Sequence, residues 1–216
     1  MPDTTQLVLY LAAATLLAVT PGPGIFYVAA RTLAGGRAEG LASSFGTGLG
    51  GLVHVLAGSL GVSAILLASA ELFTALRLAG AGYLVWLGIR TILAARRDAL
   101  AAIRTGAPAP SIGVRRAFRE GVLVEALNPK TAAFFLAFVP QFVDPAAGPV
   151  AAQFILLGFL SVVLNTLADV AVAVGASRIR DGAAARPGLV RRIREASGAA
   201  MVTLGLGLAL ARRPAG

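Results

Sequence analysis

Six apolar stretches dominate this chain, at residues 7–28, 45–67, 73–93, 122–143, 150–174 and 196–211. A helix needs roughly 20 apolar residues to cross the hydrocarbon core of a bilayer, and each stretch meets or approaches that length. One water-soluble core could not bury them all: 57% of the 216 residues are hydrophobic and only 13% are charged, about half the charged fraction of a soluble domain. The chain therefore reads as all-α, a polytopic membrane protein of six transmembrane helices in one domain over 1–216. The first stretch is expected to be a retained span and not a signal peptide, because the only charge ahead of it is Asp3. The lack of cysteine excludes a disulfide scaffold and a thiolate metal site, and a single histidine argues against an imidazole-rich one. No cofactor is implied.

Basic residues in the connections give the orientation. Arg31 and Arg37 follow the first stretch. The third connection holds Arg90, Arg96, Arg97, Arg104, Arg115, Arg116 and Arg119, and the fifth holds Arg178, Arg180, Arg186, Arg191, Arg192 and Arg194. That places 15 on one side against three on the other, Arg77, Arg212 and Arg213. By the positive-inside rule the odd connections face the cytoplasm and both termini face out. The net charge of +9 is then a cytoplasmic rim attracted to anionic head groups, and no nucleic acid is expected as a partner. The longest connection, 98–113, reads as a flexible basic loop joining halves 1–97 and 114–216.

Three spans per half is an odd number, so the second half enters the membrane upside down, as an inverted 3+3 repeat. Each half opens with a span interrupted by proline: Thr20-Pro21-Gly22-Pro23 in the first, Glu125-Ala126-Leu127-Asn128-Pro129-Lys130 in the fourth. Pro21 and Pro129 are 108 positions apart, half the chain. Matching helix breaks in inverted halves point to the substrate site of a secondary transporter. Proline lacks an N–H and clashes with the carbonyl four residues back. Pro21 and Pro23 therefore free the carbonyls of Leu17 and Val19, and Pro129 frees that of Glu125. Such groups survive at membrane depth only where protein or a water-filled cavity satisfies them. Freed carbonyls suit an ammonium group or a cation, and the half-helix N-termini beyond suit a carboxylate. A site with both suits a zwitterion. The plainer alternative is that these prolines only kink their helices.

Ionisable groups inside a span are expensive and functional by default. Here they are Glu125 and Lys130 in the fourth span and Asp169 in the fifth. At about 1.5 Å per residue they and both breaks map to the middle or inner part of the bilayer, which predicts a cavity reached from the cytoplasm. Asn165 and Asp169 are four apart and share a helix face, placed to line that cavity and hold a proton or the substrate's ammonium; pairing of Asp169 with Lys130 or a rim arginine is the alternative. Glu125 either joins the site, snorkels to the rim or pairs with Arg119. Lys130 either positions a carboxylate, neutralises an acid or forms a structural ion pair. His54 reads as a hydrogen-bonded packing residue and not a proton relay. Gly46-Thr47-Gly48-Leu49-Gly50-Gly51 carries a GxxxG spacing that lets helices approach closely; without a preceding strand or a following Lys-Ser/Thr it is no phosphate loop.

Across nearly its whole length the chain resembles the LysE/RhtB family of bacterial amino-acid exporters. The resemblance rests on Thr20-Pro21-Gly22-Pro23, the glycine-rich 40–51 region, Tyr83-Leu84-Val85-Trp86-Leu87-Gly88, Phe118-Arg119-Glu120-Gly121, Leu127-Asn128-Pro129-Lys130-Thr131, Phe134-Phe135-Leu136-Ala137-Phe138 and Pro140-Gln141-Phe142. Asp169 falls where such proteins tend to carry a fifth-span acid. The resemblance implies efflux of amino acids or close derivatives across the bacterial inner membrane, driven by protons, by a homodimer. Similar members export threonine, homoserine, leucine, lysine or others, so it implies a substrate class and no single compound. Two other readings fit the residues less well. A lipid enzyme would need a nucleophile with its base or a metal cluster. A metal-ion extruder or channel would show acids or histidines repeated on several spans, where this chain has two acids and one histidine.

Overall fold

The computed structural model describes residues 4–68 and 111–179, with scattered positions between 71 and 93 and between 192 and 210. All regular structure among the described residues is helical. Helix α1 (Thr4–Val19) ends where Pro21 removes the next donor: Thr20 closes it with its own N–H and hydroxyl, both donating to the Leu16 carbonyl (3.1 and 2.6 Å). Helix α2 (Pro23–Ala68) starts with proline at its first position, where the missing N–H costs nothing. Gly36 breaks it into two limbs, with φ 81° and ψ −174°, a conformation essentially reserved for glycine. After Gly113 (φ 83°) comes α3 (Val114–Ala126). Asn128, extended because the following proline disfavours the helical region, then starts α4 at Pro129. Helix α4 runs as an α-turn over Pro129–Ala133, widens to a π-turn over Phe134–Phe138 and tightens to a 3-10 turn over Val139–Phe142. Pro140, which cannot donate to the carbonyl of Leu136, accounts for that irregular end. A turn through Gly148 (φ 135°) leads to α5 (Val150–Ile179). Gln153 pins this turn, accepting from Asp144 N–H (3.1 Å) and donating to the carbonyls of Asp144 (2.8 Å) and Gly148 (3.1 Å).

A similar order of elements thus occurs twice: a helix, a proline break, a short helical stretch, a positive-φ glycine (a kink at Gly36, a turn at Gly148) and a long helix. Two helices, Pro23–Gly61 (including the Gly36 kink) and Val150–Arg178, are long and apolar enough to cross a membrane; the pair Val114–Ala126 and Pro129–Phe142, bent by 41°, raises this to three. Helix α1 is apolar but only 16 residues long. The expected spans 73–93 and 196–211 are described only at isolated helical positions, and residues 98–110 of the expected loop lie outside the described residues.

Several expected boundaries are corrected. Residues 29–44, read as a loop, are helical except at the Gly36 kink, and Arg115, Arg116 and Arg119 lie on α3. The ends of apolar runs were a poor guide because nothing breaks these helices before a glycine pair or a proline does. The fourth expected span, 122–143, is two elements joined at a bend, and the fifth extends to Ile179.

The second limb of α2 lies between α3 and α5. A Cβ on Gly46 would land on the Phe118 carbonyl and one on Gly50 on the Val122 carbonyl, while one on Gly121 would lie 2.8 Å from the Ser43 carbonyl. Helices α2 and α3 therefore touch backbone to backbone, as the GxxxG spacing predicts. On the opposite side, Cβ atoms on Gly48 and Gly51 would press on Thr166 (2.6 Å) and Val162 (3.0 Å) of α5. An aromatic core joins α1, α4 and α5: Tyr10, Phe134, Phe135 and Phe154 are buried together. The Tyr10 hydroxyl donates to the Leu157 carbonyl (2.7 Å) and shares a hydrogen bond with Ser161 Oγ (2.5 Å). Ala81, from the sparsely described region, packs on Ala133 and Ala137. Leu9, Val53, Leu60, Phe159 and Leu167 stay exposed, a surface suited to lipid.

Candidate functional site

The two proline breaks meet. Lys130, at the start of α4, reaches across to the end of α1, where its Nζ donates to the carbonyls of Leu17 (3.2 Å) and Thr20 (2.9 Å). Its stem lies along Gly22, where a Cβ would be 3.1–3.2 Å from Cε, Cδ and Nζ. The Leu17 carbonyl, which Pro21 denies its helical donor, accepts from Thr20 N–H (3.2 Å) and also receives an ammonium, the chain's own. At the second break the Glu125 carbonyl, freed by Pro129, accepts from Asn128 N–H (3.0 Å) and from His54 Nε2 (2.9 Å). His54 also stacks on Phe135, with ring centroids 6.0 Å apart. It is the hydrogen-bonded packing residue expected.

Glu125 is buried. Its Oε2 accepts from Asn128 Nδ2 (2.9 Å) and its Oε1 from Thr131 Oγ1 (2.6 Å). It neither snorkels to the rim nor pairs with Arg119, because the turn that Pro129 imposes presents both donors to it locally. A Cβ on Gly24 would be 2.7 Å from Oε2, so the carboxylate lies against the first turn of α2, the positive end of that helix dipole. Asn128 caps its own helix, accepting from Lys130 N–H (3.0 Å). One donor expected to face a substrate carboxylate is thereby already satisfied.

Lys130 forms no salt bridge with Glu125 or Asp169. The ion-pair alternatives for Lys130 and Asp169 are therefore not what the structure contains. Asp169 is fully buried and its Oδ2 accepts from Thr47 Oγ1 (2.6 Å), while Oδ1 has no partner among the described residues. Asn165, one turn earlier on α5, lines a small cavity together with Leu17, Glu125, Lys130 and Thr131. To a water-sized sphere that cavity is about 20 Å³, room for roughly one water. Thr20 and Gly22 are buried against Lys130, which lines it; Pro21 is half-buried and Pro23 exposed, and both shape the break.

Two residues escape a reading by sequence. Thr47 sits inside the glycine string, where it looks like packing. Glu39 falls in a region read as loop, yet it is buried and its Oε1 accepts from Ser111 Oγ and from the N–H groups of Ile112 (3.0 Å) and Gly113 (2.7 Å). It clamps the entry to α3 onto α2, just beyond the Gly36 kink. An acid close to a glycine pair between two apolar runs was the only available signal.

A family model described as LysE type translocator matches residues 15–212. The homoserine/homoserine lactone efflux protein of Salmonella typhimurium is 33% identical over 205 residues, 94% of this chain and 95% of that one. A leucine efflux protein of Klebsiella pneumoniae is 31% identical over 157 residues, 71% of each chain. An uncharacterized membrane protein of Pseudomonas aeruginosa is 32% identical over 158 residues, 73% of each. No solved structure matches the chain significantly.

Proposed function

This chain belongs to the LysE type translocator family, and on that premise we propose that it exports amino acids or close derivatives from the cytoplasm across the bacterial inner membrane, in exchange for protons. The observation that carries this reading is the meeting of the two breaks, which packs Thr20 and Gly22 against Lys130 and Asn128 against Glu125, while Lys130 and Glu125 line one cavity with Asn165. The efflux proteins named above, which the chain resembles over most of its length, support the substrate class. The repeated order of elements supports an inverted repeat whose halves rock against each other. A cavity of about 20 Å³ is too small for an amino acid, so loading requires the broken helices to part.

Asp169 is the proton carrier in this reading. It is a buried carboxylate held by one hydroxyl, with a free oxygen, so a proton can come and go without dismantling a network. Glu125 is engaged through both oxygens and acts as a fixed part of the break. The test is efflux from cells preloaded with a panel of dipeptides, comparing the wild-type chain with Asp169→Asn. An amino acid should appear outside faster with the wild-type chain, and both the variant and an uncoupler should abolish that gain. Efflux indifferent to the uncoupler and to Asp169→Asn would remove proton coupling; no efflux of any amino acid from well-inserted protein would remove the substrate class.

A further inference from the structure

Lys130 is the chain's only lysine, it is 3% exposed, and it forms no salt bridge with Glu125 or Asp169. Buried lysines ordinarily pair. This one is instead solvated by two main-chain carbonyls, those of Leu17 and Thr20. Two carbonyls converging on an –NH₃⁺ are a general receptor for a primary ammonium, because they recognise its N–H donors and nothing of the carbon chain behind them. The lysine stem lies along Gly22, where a Cβ would crowd it at 3.1 Å from Cε. On the other side of the same break, the Glu125 carboxylate lies against Gly24 at the positive end of α2. The second break thus lays a cation and a carboxylate across the first one, the charge pattern of a free amino acid.

We propose that Lys130 is an internal occupant of the substrate's ammonium site: with no substrate bound its Nζ holds the Leu17 and Thr20 carbonyls, and the ammonium of the exported amino acid takes its place. The proposal rests on the export reading and adds the atoms that recognise the substrate. The exchange replaces two N–H···O=C hydrogen bonds by two of the same kind, so the carbonyls are never left bare at membrane depth. Displaced, the Lys130 ammonium is free to meet the substrate's carboxylate. Accepted substrates are those with a primary ammonium able to donate to both carbonyls.

The single lysine makes this measurable. The full chain, labelled with lysine carrying ¹³C at Cε and reconstituted in lipid nanodiscs, gives one lysine Cε signal. It is titrated with homoserine, leucine, n-propylamine (an ammonium without a carboxylate) and propionate (a carboxylate without an ammonium). The first three should move the signal saturably and propionate should leave it in place. Movement by n-propylamine but by neither amino acid would keep the ammonium site and overturn the amino-acid reading. A signal that none of the ammonium compounds moves overturns the proposal, and efflux by the same chain then shows whether export stands without it. Lys130→Ala gives a second readout, because n-propylamine replaces the atoms removed: it should raise the melting temperature of the variant more than that of the wild-type chain. Equal effects on the two would count against the exchange. If the variant does not fold, the titration decides alone.

Discussion

Asn128 shows how much one residue does at a helix break. Its backbone N–H and its side-chain amide hold the carbonyl and carboxylate of Glu125, its Oδ1 caps α4, and its carbonyl accepts from Ala132 N–H (3.0 Å) to start that helix. Only the break itself was legible beforehand; the cap and the hold on Glu125 were not, although a proline constrains the residue before it and asparagine is a good cap. Nor was Glu39. Its partners lie 72–74 positions away, so no local pattern announces them. Glu39→Ala should destabilise the protein by about 1–3 kcal/mol, since two N–H groups at the entry to α3 lose their acceptor. Glu39→Gln retains a carbonyl oxygen there and should lose less. Melting of the two purified variants checks this, and equal losses would mean that the acceptor oxygen is not what matters.

At the scale of elements the second limb of α2 organises the molecule, with one glycine face for α3 and another for α5. Gly46→Ala and Gly50→Ala each drive a methyl group into backbone of α3, which should cost about 1–3 kcal/mol of stability. Gly61→Ala meets nothing within 4 Å and should be neutral or stabilising by up to about 1 kcal/mol through helix propensity. A melting series in which all three behave alike would contradict direct backbone packing between α2 and α3. The glycine spacing foretold a close approach, but not which helix fills each face, because the spacing describes only one of the two surfaces. The limits of α2 and α3 were misread for a related reason. Hydropathy marks where lipid ends, whereas a helix ends where a proline, or a glycine such as Gly36, lets it.

For the whole molecule, the basic rim and the depth of the breaks predict that the cavity opens to the cytoplasmic side. The chain has no cysteine, so Asn165→Cys supplies a single thiol on the cavity wall. A membrane-impermeant thiol reagent should label it in inside-out vesicles and leave it untouched in intact cells. Labelling from the outside alone would reverse the orientation drawn from the arginines.

Membrane embedding, helical class and the two proline breaks follow from composition and local chemistry alone: apolar length, the positions of arginine and the missing N–H of proline act wherever they occur in a chain. The tertiary structure decided which charge meets which partner. Lys130 finds carbonyls 110 and 113 positions away instead of an acid, Asp169 finds Thr47, and Glu39 becomes a buried clamp. A charge removed from water takes whichever partner packing brings within hydrogen-bond distance, and packing depends on all the helices together.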